Sequence, residues 1–181
     1  MRKRLLWIAI IVIVVIIFLY VYYSSGDAPQ KPQKPLTQKT VDSLGYKQNN
    51  PGNIRNQGDI FDGEVYSNSS FKVFDRMANG YRAMAILLFN YFKRGENTLR
   101  KLITEYAPPN ENTTSTYINF VSDETGIGPD KVLSLNDFKP GLFLSEPIIK
   151  KIVRAISQKE ISWVNESELN LGYNEFLKDR I

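Results

Sequence analysis

Residues 49–55 read Asn-Asn-Pro-Gly-Asn-Ile-Arg, three carboxamides and a guanidinium gathered around a turn. Pro51 presets the backbone and Gly52 permits a positive φ, so the amides of Asn50 and Asn53 and the guanidinium of Arg55 can converge on one polar ligand while Ile54 anchors the turn inward. A plain turn whose asparagines bond their own backbone would use the same residues. The chemistry open to such a site is narrow. Among 181 residues there is no cysteine and no histidine, which removes thiol nucleophiles, Ser-His-Asp triads and zinc centres of the usual ligand set. Carboxylates are left. One or two of them suffice to cleave a glycosidic bond, where a protonated carboxyl donates to the leaving oxygen. No metal or cofactor is expected.

Three glutamates are candidates for that acid. Glu160 falls four residues after Ile156, at the C-terminal end of an apolar helix pattern. A carboxyl in such a place faces the negative end of the helix dipole, which disfavours the ionised form and suits a general acid; a solvated glutamate on a fraying end is the plainer alternative. Glu111 ranks second; it lies beside the start of a helix, where complementing the dipole and the free amide groups is its plainer use. Glu64, in a hairpin, ranks third, and Asp59 and Asp62 read as solvated loop residues. Tyr117 offers a stacking face for a sugar, though half-buried packing is the commoner use of such a tyrosine.

The elements that must position these groups are mostly helical. A short entry helix is predicted over 37–46, ended by Gly45, and the asparagine turn follows it. Residues 60–66 and 71–74 flank a Ser-Asn-Ser-Ser loop and predict a β-hairpin. The run 81–92 is strongly apolar and predicts the core helix. A shorter helix over 98–106 carries Leu99, Leu102 and Ile103 inward and stops at Ala107-Pro108-Pro109. Another passes through Tyr117, Ile118 and Val121 and ends at Gly126. The last predicted helix runs over 145–160, with Ser145 as its cap, Pro147 in the first turn and a stripe of Ile148, Ile149, Ile152, Val153 and Ile156.

Ahead of this domain, residues 5–23 are nineteen aliphatic or aromatic side chains in a row. About 28 Å of helix results, which predicts a transmembrane span. Arg2, Lys3 and Arg4 precede it, so residues 1–4 are expected in the cytoplasm or virion interior and the rest on the opposite side, in the periplasm; a host inner membrane and a virion membrane fit equally. Tyr-Val-Tyr-Tyr is not a cleavage site, which argues against a signal peptide. Residues 24–36 read as a Pro-rich linker and 37–181 as the globular domain. The net charge is +4, and without the three basic residues at the N-terminus about +1 remains, too little to indicate nucleic acid.

Residues 49 to about 160 resemble a phage-borne group of peptidoglycan-degrading, lysozyme-like proteins, described as virion structural proteins or lytic transglycosylases. The motifs are 49–55, the strand 71–74, Gly-Tyr-Arg-Ala-Met at 80–84, Asn-Thr-Leu at 97–99 and Ala-Pro-Pro-Asn-Glu-Asn-Thr at 107–113, all in order. Bacterial glucosaminidases of the lysozyme superfamily have a similar asparagine strand, with the catalytic glutamate on a helix before it. Here no acid lies between Leu44 and Asn56, and the closing helix ends at Glu160, similar to the Glu-Ser-Gly of soluble lytic transglycosylases, with Ile161 and Ser162 in place of the Asn-Gly of the group. The resemblance implies an α+β, mainly α, lysozyme-like fold, possible to derive by circular permutation, behind one transmembrane helix. It implies Glu160 as the acid, glycan strands as substrate, Asn50, Asn53 and Arg55 as ligands of acetamido and hydroxyl groups, and intramolecular attack giving an anhydro product. Other virion proteins are further expected partners. The competing reading is a lysozyme-like domain that binds peptidoglycan or a virion partner and cuts nothing.

Overall fold

A computed structural model describes the backbone of residues 2–24, 34–109, 113–141 and 145–181. The chain divides into two compact units, Met1–Pro32 and Gln33–Ile181. The first unit holds helix α1, Arg2–Ser24. Here the expected membrane span is corrected: among the described residues, no helix is long and apolar enough to cross a membrane. The single-pass assignment and the periplasmic placement that followed from it are both withdrawn. Most of the expected linker, 25–33, lies outside the described residues.

The second unit is helical with one small sheet. Its entry forms two short helices rather than one, α2 (Gln38–Asp42) and α3 (Leu44–Lys47), because Ser43 leaves helical geometry with ψ 143 and caps α3 by accepting from the Tyr46 amide. The hairpin pairs β1 (Glu64–Val65) with β2 (Val73–Phe74), antiparallel, Glu64 opposite Phe74. Lys72, only 3% exposed, places its ammonium 2.9 and 3.0 Å from the two carboxylate oxygens of Glu64. A lysine buried to that extent needs a counter-charge, and Glu64 is committed to it.

Helix α4 (Met77–Lys93) is the axis of the unit, buried without a break from Met77 to Ile86. Helices α5 (Leu99–Tyr106) and α6 (Thr114–Thr125) follow, and α6 ends at Gly126 with φ +69. A 3-10 turn, Leu135–Phe138, comes before α7 (Ile148–Ile161). Ser145 does not cap α7. Pro147 disfavours helical geometry at Glu146, so the helix opens after the proline and Pro147 itself occupies the cap position. Of the expected stripe, Ile149, Ile152, Val153 and Ile156 are buried and Ile148 is partly buried. Helix α8 (Glu166–Arg180), which the sequence reading lacked, lies against α4, where Arg82 bonds Asp179 at 2.6 Å. Arg82 also pairs with Asp62 at 2.7 Å, the structural use of that aspartate.

Candidate active site

The asparagine motif leaves α3 through a chain of local bonds. The Asn50 amide donates to the Gly45 carbonyl at 2.8 Å, and the Asn53 amide to the Asn50 carbonyl at 3.0 Å. Asn49 and Asn53 both take left-handed backbone geometry, φ 52 and 49, which asparagine tolerates better than most residues. Asn50 is fully buried. Its Nδ2 donates to the carbonyls of Ile54 and Lys72, each at 3.0 Å, and its Oδ1 accepts from the Ile54 amide at 2.9 Å. Both amide protons are used, so Asn50 braces the turn and the substrate role expected for it is corrected.

Asn53 points the other way. Its Nδ2 donates to Glu160 Oε2 at 2.8 Å, joining the turn to the end of α7 across more than a hundred residues of sequence. The other carboxylate oxygen, Oε1, accepts from the Tyr117 hydroxyl of α6 at 2.7 Å. Tyr117 is 2% exposed, so it is no stacking surface. Its place in the site is as a hydrogen-bond partner of Glu160. Burial, with the negative charge of Glu160 adding to it, holds the Tyr117 hydroxyl well above the ordinary tyrosine range, and the same two causes act on Tyr106. Both hydroxyls therefore keep their protons at neutral pH. Tyr106 donates to the Gly52 carbonyl at 2.5 Å.

These groups open onto a cleft of about 290 Å³ lined by Asn53, Arg55, Phe71, Tyr91, Glu105 and Glu160 among others. Arg55 lies on its wall with the guanidinium 4.6 Å over the Phe71 ring. Asp59, read from the sequence as loop solvation, also lines the cleft and accepts from Asn90 Nδ2 at 3.1 Å. The structure thus brings together Glu160, Asn53, Arg55 and Tyr117, and sets Asn50 and Glu64 apart from them. Glu111 lies outside the described residues. Among the described residues no cluster of three or more Asp, Glu, His or Cys is able to hold a metal ion.

Comparison with known proteins adds one relationship. Over 104 residues the chain is 35% identical to a protein named Protein P5 from Pseudoalteromonas phage PM2. The aligned stretch is 54% of this chain and 65% of that protein, so the chain spans less than two thirds of the length of the curated relative it matches. The chain is similar to a phage protein. No protein-family model matches it.

Three contributors were missed in the sequence: Tyr91, Glu105 and Tyr106. For Tyr106 a signal existed, since it continues the inward spacing of Leu99, Leu102 and Ile103 by one more helical step. Glu105 and Tyr91 carried none, because their place on the cleft depends on how α4 and α5 pack.

Proposed function

We propose that the protein cleaves the glycan strand of peptidoglycan, with Glu160 as the general acid, as a phage-borne lytic transglycosylase or muramidase. One observation carries the reading: a carboxyl group at the cleft, held on both oxygens by Asn53 and Tyr117, beside a wall of carboxamide, guanidinium and aromatic groups suited to sugars. Glu160 passes its proton to the glycosidic oxygen as the bond to the anomeric carbon breaks. The sugar's own hydroxyl closes on that carbon and returns a proton to the carboxylate, leaving an anhydro end, and no second carboxylate is required. Asn53 and Tyr117 stabilise the carboxylate while it is ionised, and the tyrosine hydroxyl, donor and acceptor in one, accommodates either state. Arg55 and Asn53 are the ligands for hydroxyl and acetamido oxygens. Peptidoglycan incubated with the protein should release soluble muropeptides, and Glu160→Gln should lower that rate about 100-fold or more. Release at an unchanged rate from the variant would reject Glu160 as the acid. No release from a folded wild type that still sediments with peptidoglycan would favour a binding protein.

A further inference from the structure

The carboxamide of Asn53 is aimed from one side only. Its Nδ2 meets Glu160, but its Oδ1 is buried and has no hydrogen-bond partner, so nothing on that oxygen fixes the orientation of the group. The backbone must fix it instead. That backbone is held in left-handed geometry at Asn53, and the peptide immediately before it carries the Gly52 carbonyl to which Tyr106 donates.

We infer that Tyr106 is a positioning residue, holding the Gly52 carbonyl so that the turn presents the Asn53 amide to Glu160, an effect on rate that rests on the reading of Glu160 as the acid. The fit around the turn is close on both sides. A Cβ at Gly52 would lie 2.2 Å from the Tyr106 hydroxyl and 2.8 Å from Met84 Sδ, so residue 52 is seated directly against α5 and α4. A Cβ at Gly45 would lie 2.6 Å from Asn53 Oδ1, so α3 backs the carboxamide from behind. Within this enclosure the Tyr106 hydroxyl is the polar group that grips the turn from α5. Its burial and its raised proton affinity keep it a donor. Without it the Gly52–Asn53 peptide keeps only the bond from its N–H to the Asn50 carbonyl, and the Asn53 side-chain amide is held less firmly on its line to the carboxylate.

The test is a spectrum of the protein labelled with ¹⁵N-asparagine. The Asn53 side-chain resonances are identified by their loss in Asn53→Ala. In Tyr106→Phe they should move toward the position of a solvent-facing amide and exchange with water at least about tenfold faster, as expected when a charge-assisted bond is lost. Glycan cleavage should show kcat reduced about tenfold with a smaller rise in KM, since Arg55 still holds the substrate while the Asn53–Glu160 arrangement is disturbed. A folded Tyr106→Phe protein whose Asn53 resonances and exchange match wild type would overturn the inference. Should that variant fail to fold, the wild-type spectrum decides: a slowly exchanging Tyr106 hydroxyl proton with a cross-peak to Gly52 supports the inference, and its absence overturns it. Wild type that cuts no glycan would sink the functional reading, while the spectra would still decide the positioning.

Discussion

Asn50 and Asn53 are three residues apart and chemically identical, yet one braces the turn and the other faces Glu160. The motif alone announced a turn rich in carboxamides, but not which of them faced outward. That depends on the path of the turn, in which Asn49 and Asn53 take left-handed geometry, and on the partners each carboxamide then meets. The two should separate cleanly by mutation. Asn50→Ala leaves the Ile54 amide and two carbonyls without their partner and should cost about 2–4 kcal/mol in denaturant unfolding. Asn53→Ala, where alanine takes the left-handed backbone less well than asparagine, should cost about 1–2 kcal/mol and slow glycan cleavage about tenfold or more. Equal losses of stability from both variants would contradict this division.

At the scale of elements, α7 carries Glu160 and its ending fixes where that carboxylate sits. Ser162 terminates the helix in left-handed geometry, φ 59, a position at which glycine is the residue without a Cβ penalty. Ser162→Gly should raise the unfolding free energy by about 0.5–1 kcal/mol with cleavage unchanged, as thermal melts and rates would show. A destabilised variant would mean that the serine side chain contributes there. Helices α4 to α7 were legible because each has an apolar stripe or run that a helical period explains. Helix α8 was not read, although Leu169, Gly172, Tyr173 and Phe176 have the same spacing and are all buried. Its stripe is diluted by a glycine and surrounded by acids and asparagines, and only the surface of α4 shows what it covers. Ser145 looked like a cap because the residue type is right; the constraint that Pro147 places on its neighbour decided otherwise.

For the molecule as a whole, the most conspicuous feature of the sequence, its apolar start, gave an expectation that the described helix does not meet. The folded unit instead holds several tyrosines in its core or half-buried at the cleft. Burial pushes Tyr81 and Tyr91 up to about 12, and Tyr106, Tyr117 and Tyr173 are also raised by burial. A tyrosine whose folded value lies above its unfolded value of about 10 keeps its full contribution below pH 10 and loses it as the pH rises through the folded value. For Tyr81 alone that amounts to roughly 3 kcal/mol between pH 10 and 12. Denaturant midpoints should therefore hold level from pH 8 to about 9.5 and fall steeply beyond. A level midpoint through pH 11 would show these hydroxyls to be ionisable in the folded state.

In the proposed reaction Glu160 acts without a second carboxylate and the substrate's own hydroxyl is the nucleophile. Digestion of peptidoglycan in ¹⁸O-water, with products read by mass spectrometry, tests it most directly. Anhydro ends that carry no heavy oxygen, and that vanish in Glu160→Gln, are the predicted result. Reducing ends labelled with ¹⁸O would show that water is the nucleophile and would turn attention to Asp59 and Glu105 as a second carboxylate. Products that persist in Glu160→Gln would contradict the account at its root.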